Sequence, residues 1–216
     1  MKILMSCLLD WSAPSAGRIH FEGLARAFAG AGHEVCGVIP WRGGTGGVVP
    51  PFVRLYPSPV FDESLLGQTL RGVAHLAVML RAVAREKPDL IYLRFRSCAP
   101  LTAPIIRFVF RRPRMVTEHN TWSARYLKVS GHSALICALS RWGQHCSAQC
   151  SDRIRVSTEN LKGLLAGHGI PPGRVFVAGM GADLDQFMPL ERAEAFRRTG
   201  LDPSMRYAGF VGYLSR

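Results

Sequence analysis

The chain has 216 residues, of which 48% are hydrophobic and 19% charged, the balance of an ordinary globular protein. Its formal net charge of +12 favours anionic partners such as phosphates, anionic lipid or nucleic acid. The sequence contains no helix-turn-helix, zinc-finger or aromatic RNA-binding signature, so we expect no nucleic-acid partner. No uninterrupted apolar run reaches the length of a membrane span, so we predict no membrane-spanning helix.

Strands and helices alternate along the chain. The predicted strands cover residues 2–9, 35–39, 53–56, 90–94, 115–118, 152–156 and 175–178. The predicted helices cover residues 18–31, 65–86, a proline-broken stretch at 99–110, and 122–149 with a break at 130–131. A further helix follows an N-cap at Ser157 and closes at Gly167 and Gly169. This alternation predicts an α/β fold class, a doubly wound parallel sheet of the Rossmann-like kind.

The N-terminus and the cysteines each allow two interpretations. Residues 1–16 have the outline of a short signal peptide, but we favour a first strand and loop ahead of a helix. Six cysteines without a regular disulfide framework predict buried, reduced thiols and a cytoplasmic protein. His145, Cys146 and Cys150 lie within about one helical turn and could hold a metal ion, yet a full ligand set is missing, so core cysteines are favoured.

Ligands of open parallel sheets bind beyond the carboxyl ends of the strands, and polar residues follow several predicted strands. The first strand leads through Asp10–Gly17 into a helix, and such an N-terminus suits either a phosphate or a plain capping loop. Arg94 ends a strand, and we expect its guanidinium to pair with Glu118 on the neighbouring strand.

Glu118-His119-Asn120 is the most polar cluster of the domain. An imidazole at a strand end can hydrogen-bond a ligand hydroxyl or accept its proton. We therefore expect His119 at the mouth of a cleft, where truncation would cost little stability. The alternative is a buried histidine in a satisfied hydrogen-bond network.

The segment from Ser151 to Pro189 packs two strands, a capped helix and two loops into one unit. Together with Tyr92-x-Arg94 and Glu118-x-Asn120, it resembles the GT-B glycosyltransferases, specifically the large retaining family called family 4. Its last loop matches the Asn-Gly-Val-Asp-x-x-x-Phe-x-Pro pattern of that family at Gly181, Asp183, Phe187 and Pro189. Gly17 matches one of the paired glycines that precede the family's first helix, and Ala16 replaces the other.

The resemblance implies the N-terminal half of a GT-B fold, with an acceptor-side domain at 1–190. Residues 191–216 would be a linker helix and the first strand, Arg206 to Val211, of an incomplete donor-binding domain. It implies retaining sugar transfer from a nucleotide-sugar to a sugar or lipid-linked acceptor, without a cofactor. The implied catalytic residues are His119 and Glu118, and the implied substrate-binding residues are Gly17, Arg18, Arg94, Asn120, Gly181 and Asp183.

The donor-binding lysine and glutamates of the family would lie beyond Arg216, so we expect a truncated or split enzyme that is inactive alone. The alternative is a non-enzymatic acceptor- or membrane-binding module that a separate donor-domain chain completes. Arg81, Arg85 and the basic run Arg107 to Arg114 either offset helix dipoles or attract an anionic membrane surface. The predicted location is the cytoplasm, with peripheral binding to the inner face of the membrane.

Overall fold

A computed structural model describes residues 1–12, 15–42, 52–62, 64–97, 99–129, 131–181 and 188–209. In these residues the strands are β1 (Lys2–Ser6), β2 (Glu34–Pro40), β3 (Arg54–Ser58), β4 (Leu90–Arg94), β5 (Arg114–His119), β6 (Arg153–Val156) and β7 (Val175–Val177). The helices are α1 (Ala16–Gly30), α2 (Leu65–Glu86), α3 (Thr102–Val109), α4 (Ser123–Val129), α5 (Ala134–Cys150), α6 (Glu159–Gly167) and α7 (Arg192–Thr199). A 3-10 turn, Pro172–Arg174, precedes β7.

The strands form one parallel sheet in the order β3-β2-β1-β4-β5-β6-β7. The chain order reverses between β1 and β4, where Ile3 pairs with Leu90 and Ser6 with Leu93. In sheets of this kind ligands bind outside the carboxyl ends of the strands at such a switch point. The predicted doubly wound, Rossmann-like sheet is therefore confirmed.

Hydrophobic cores lie on both faces of the sheet because side chains alternate along each strand. Leu4 packs on one face with Met79 of α2 and Ile106 of α3. Ile3 and Met5, its neighbours in β1, are in the core that includes Phe21 of α1. A third cluster joins β6 and β7 to α6. The α5 helix packs against α3 and β5, so α2, α3 and α5 cover the face opposite α1.

Several boundaries differ from the prediction for identifiable reasons. The β3 strand includes Pro57, which an edge strand tolerates because its outer side needs no ladder donor. Pro104 lies in the first turn of α3, where backbone N–H groups lack helical partners, so it does not break the helix. Thr158, not Ser157, caps α6, accepting a bond from the Leu161 N–H at 3.2 Å. The predicted break after α4 is confirmed, with Gly131 at φ +79°.

The chain divides into two compact units, Met1–Gly181 and Ala182–Arg216. Within the second unit, Glu194 of α7 pairs with Arg197 and Arg198. Residues 206–209 are not in a strand, so the predicted strand from Arg206 is wrong over these positions, and its remainder lies outside the described residues. The assignment of 1–190 and 191–216 to acceptor and donor domains stays a prediction.

Candidate functional site

The carboxylate of Glu118 is the centre of a polar cluster at the carboxyl edge of the sheet. It is buried and accepts hydrogen bonds from the Tyr92 hydroxyl and from Asn120 Nδ2, both at 2.5 Å. The expected ion pair with Arg94 is confirmed, with Nε 3.7 Å from the carboxylate. This pair forms because the two residues are register partners on β4 and β5.

Two further partners of Glu118 were not foreseen from the sequence. Arg155 of β6 places Nη1 3.1 Å from the carboxylate, and His20 of α1 places Nε2 at 3.3 Å. The position of Arg155 could have indicated a partner, because it lies between Ile154 and Val156 in a buried strand. An arginine in such a strand is seldom buried without a charged partner. His20 offered none, because nothing in the sequence sets which side of α1 faces β5.

These partners decide the charge of Glu118. Burial raises its pKa, but hydrogen bonds from His20 and Tyr92, the charge of Arg94 and the Asn120 hydrogen bond outweigh burial and lower the pKa to about 2. The group is therefore a carboxylate throughout the physiological range. A general base works best with a pKa near the operating pH, so the arrangement suits Glu118 for holding its neighbours in place.

Arg155 links this cluster to the loop after β7. Its Nη2 donates to the carbonyls of Ala178 and Gly179, both at 2.9 Å. Gly181, two residues further on, is exposed. Asp183 lies outside the described residues, so its predicted role stays a prediction.

Gly17 lies in the first turn of α1, where the chain comes close to the cluster. Its carbonyl accepts a bond from Arg94 Nη1 at 3.2 Å. A Cβ at this position would lie 2.6 Å from Leu9 Cδ1, so a larger residue would force the Leu9 side chain to move. Arg18 instead serves the preceding loop, with its guanidinium 5.6 Å from the Trp11 ring centroid and Nη1 donating to the Trp11 carbonyl at 3.1 Å.

His119 is buried, with 1% of its surface exposed, so the expectation that it lies at an exposed cleft mouth is wrong. Gln144 Nε2 lies 3.1 Å from its Nδ1, and Thr117 Oγ1 lies 3.1 Å from its Nε2. The amide nitrogen can only donate, so Nδ1 accepts and Nε2 carries the proton. Thr117 in turn contacts Ser151, which donates to the Ser147 carbonyl at 2.7 Å.

Burial therefore holds His119 neutral, lowering its pKa to about 4. Gln144, which the sequence analysis did not single out, also accepts from the Ser123 N–H at 2.9 Å and donates to the Thr121 carbonyl at 2.8 Å. The histidine and the glutamine together fix the loop that follows β5.

Asn120 leaves one polar atom of this edge unsatisfied. Its Nδ2 is committed to Glu118, which sets the amide orientation because a carboxylate can only accept. Its Oδ1 is buried and has no hydrogen-bond partner among the described residues, as is the case for Trp11 Nε1. A buried acceptor without a partner costs about 1–3 kcal/mol, so this position favours a donor supplied by a ligand.

The possible metal ligands do not form a convincing ion site. His145, Cys146 and Cys150 are not among the described side chains close enough to share an ion, and the five described cysteines are unbonded thiols. Glu34, Cys36 and Glu86 do come together. The Glu86 carboxylate, however, already accepts from Lys2 Nζ at 3.2 Å and Arg54 Nη1 at 2.8 Å, so its charge is compensated.

In the part of the chain that the structure describes, no helix combines the length and apolar character needed to cross a bilayer. A cavity of about 20 Å³ adjoins the carboxyl edge and includes Ser6, His75 and Arg94 in its wall. That volume is enough for about one water molecule and is too small for a sugar.

The sheet has the fold of one half of the GT-B glycosyltransferases. It is similar to sucrose-phosphate synthase of Thermosynechococcus elongatus, with a TM-score of 0.71 and 15% identity over 93% of this chain and 53% of that one. Anabaena HepE in complex with UDP and glucose has a TM-score of 0.59 and 14% identity over 93% and 50% of the two chains. UDP-GlcNAc 2-epimerase of Methanocaldococcus jannaschii also shares the fold, with a TM-score of 0.55 and 15% identity over 83% and 46%.

Residues 16–181 match the family described as glycosyl transferase 4-like domain, so the chain belongs to that family. A D-inositol 3-phosphate glycosyltransferase of Mycolicibacterium gilvum is 43% identical over 198 residues, which are 90% of this chain and 43% of the relative. The chain thus spans less than half the length of this curated relative.

Proposed function

We propose that this chain is the acceptor-side domain of a retaining glycosyltransferase that transfers a sugar from a nucleotide-sugar to a hydroxyl acceptor. Membership of the glycosyl transferase 4-like family supports the reaction class. The structure of HepE with UDP and glucose supports a nucleotide-sugar donor for proteins of this fold. A retaining enzyme of this kind needs no protein nucleophile, because positive charge on the departing diphosphate stabilises the transition state. Those groups belong to the donor side.

The unpartnered Asn120 Oδ1 is the observation that carries the acceptor assignment. It lies on the residue after β5, beside the ionised Glu118 and close to the switch point of the sheet. A sugar or polyol hydroxyl would donate to this oxygen. The similarity to an inositol-phosphate enzyme favours an acceptor that carries a phosphate, and the positive charge of the chain fits such a ligand.

The catalytic roles of His119 and Glu118 remain proposals. A neutral imidazole with both nitrogens engaged would act through the loop after β5 that Gln144 also holds. Glu118 would act by fixing Asn120 and, through Arg155, the loop that leads to Gly181. We propose that Gly17 and Arg94 likewise hold the site in place, because the hydrogen bond between them links α1 to β4.

Calorimetric titration of D-inositol 3-phosphate into the chain tests the acceptor site. We expect saturable binding that Asn120→Ala weakens about fivefold or more, since one neutral hydrogen bond contributes about 1 kcal/mol. Asn160→Ala is the matched control, because Asn160 is an exposed asparagine on α6, and its affinity should not change. Equal weakening by both substitutions would contradict an acceptor site at Asn120. Inorganic phosphate and inositol, titrated separately, show which part of the ligand is recognised.

A second candidate is an acceptor- or membrane-binding module whose activity depends on another chain. The distribution of charge favours it, since residues 90–151 hold nine of the basic side chains and one acidic residue, Glu118. Of the basic run proposed above, Arg107 is already bound to Asp152 and to two carbonyls. Arg111, Arg112 and Arg114 are exposed.

A further inference from the structure

The first half of α5 carries an exposed apolar stripe. Leu135, Leu139 and Trp142 follow one another at intervals of four and three residues, which places them on one face of the helix. Their exposed fractions are 69%, 54% and 54%, and Val129 at the end of α4 is 84% exposed. We name these four residues the α4–α5 stripe. An exposed set of large apolar side chains with regular spacing indicates an interaction surface.

The charged residues in the segment that carries the stripe are all basic. Residues 119–151 contain Arg125, Lys128 and Arg141 and no aspartate or glutamate. All three basic residues are exposed, and none of them forms an ion pair with a residue that the structure describes. Leu66, Leu70 and Val73 form a similar exposed set on α2, but that set begins beside the exposed Asp62. Charge therefore separates these two surfaces, and of the two the α5 surface suits an anionic partner.

We propose that the α4–α5 stripe binds an anionic lipid surface. The apolar side chains would enter the boundary between head groups and acyl chains, and Arg125, Lys128 and Arg141 would contact lipid phosphates. Tryptophan is suited to this boundary because it has an apolar ring and one hydrogen-bond donor. A helix in the plane of the interface needs no membrane-spanning length.

The position of the stripe connects it with the acceptor edge. Ser140 Oγ donates to Ser97 Oγ at 3.0 Å, and Ser97 lies beyond the carboxyl end of β4. The turns of α5 before Ser140 therefore stand at the edge of the sheet that holds Asn120 and Glu118. Lipid bound there would bring an acceptor on the membrane beside this edge. The inference rests on the membrane-binding candidate and is independent of transferase activity.

Binding of the purified chain to vesicles, without donor or acceptor, tests the inference. Vesicles of phosphatidylcholine mixed with phosphatidylglycerol should sediment the chain and shift its tryptophan emission to shorter wavelength. Vesicles of phosphatidylcholine alone should do neither. Trp142→Phe keeps an apolar ring and should retain most of the sedimentation while losing most of the spectral shift. Of the four tryptophans only Trp142 is exposed, since Trp11 is buried and Trp41 and Trp122 are half-buried. A shift of full size in that variant would overturn the placement of Trp142.

Two substitutions with matched controls locate the surface. Leu139→Glu should weaken binding at least tenfold, whereas Ile19→Glu should not, since Ile19 is 69% exposed on α1, on the other side of the sheet. Arg141→Gln should weaken binding and its salt dependence, and Arg81→Gln on α2 should change neither. Absence of binding to phosphatidylglycerol vesicles, equal binding to both vesicle types, or equal loss in Ile19→Glu would overturn the proposal. Self-association that Leu139→Glu abolishes, without vesicle binding, would assign the stripe to a second copy of the chain.

Discussion

At the scale of single residues, two buried histidines make the stability of the folded chain depend on pH. His75 lies between two serine hydroxyls, with Nε2 2.7 Å from Ser6 Oγ and Nδ1 2.8 Å from Ser58 Oγ. Burial lowers the pKa of His75 to about 3 and that of His119 to about 4. Both are neutral in the folded chain at pH values where the unfolded chain protonates them. The hydroxyl and amide partners make this neutral form the stable one.

The free energy of unfolding should therefore fall as the pH is lowered. Between the unfolded histidine pKa of about 6.5 and the folded values, the unfolded state binds more protons, so stability rises with pH in this window. At about pH 5 each histidine should cost on the order of 2 kcal/mol relative to neutral pH. Denaturant unfolding at both pH values measures this. His75→Asn should remove about half of the pH dependence, and an unchanged slope would show that His75 is protonated in the folded chain.

Glycine substitutions test the close approach of α1 to the site. Gly17→Ala should lower the free energy of unfolding by about 1 kcal/mol, because Leu9 Cδ1 occupies the place of the new methyl group. The control is Gly23→Ala in the same helix, where no atom lies within 4 Å of a built Cβ. That substitution should stabilise the chain by about 0.5–1 kcal/mol, since alanine is the better helix former. Thermal unfolding measures the stability of both variants. Stabilisation by both substitutions would contradict a steric clash at position 17.

At the scale of secondary-structure elements, the Glu118–Arg155 pair joins β5 to β6 and to the loop after β7. Arg155→Met removes the contacts of a buried guanidinium with Glu118, with His20 and with two backbone carbonyls, and it leaves Glu118 undercompensated. We expect a loss of about 3–5 kcal/mol and faster amide exchange in residues 178–181. Arg153→Met on the same strand is the control, because Arg153 is exposed, and it should change stability by about 0.5 kcal/mol or less. Similar losses in both variants would contradict the linking role of Arg155.

The elements were predictable from the sequence where their signals are local. The alternation of buried strands and amphipathic helices gave the doubly wound sheet, and register between neighbouring strands made the Arg94–Glu118 pair foreseeable. Contacts between distant elements were not foreseeable: His20 reaches Glu118 across 98 positions, and its side depends on the rotation of α1 over the sheet. The burial of His119 depends likewise on Gln144, which α5 brings back over the end of β5.

At the scale of the whole molecule, the chain contains one doubly wound unit of a fold whose solved relatives are about twice as long. The Asn120 acceptor, which has no partner among the residues that the structure describes, and the charged cluster lie at the edge where such sheets bind ligands. We therefore propose that these residues bind the acceptor and that a second domain binds the donor.

Sugar transfer by a two-domain protein tests this assignment most directly. These 216 residues would be compared alone and joined to the part of the Mycolicibacterium gilvum relative that they do not match, with the intact relative as the positive control. Release of the nucleotide from a panel of nucleotide-sugars, with D-inositol 3-phosphate as acceptor, would be measured after circular dichroism has shown that each protein is folded. We expect no transfer by the isolated chain and measurable transfer by the joined protein. Asn120→Ala should reduce that transfer at least tenfold, which corresponds to a loss of about 1.4 kcal/mol or more of transition-state binding. Transfer by the isolated chain would contradict this proposal. So would a joined protein that is folded and binds the donor but transfers nothing while the relative is active.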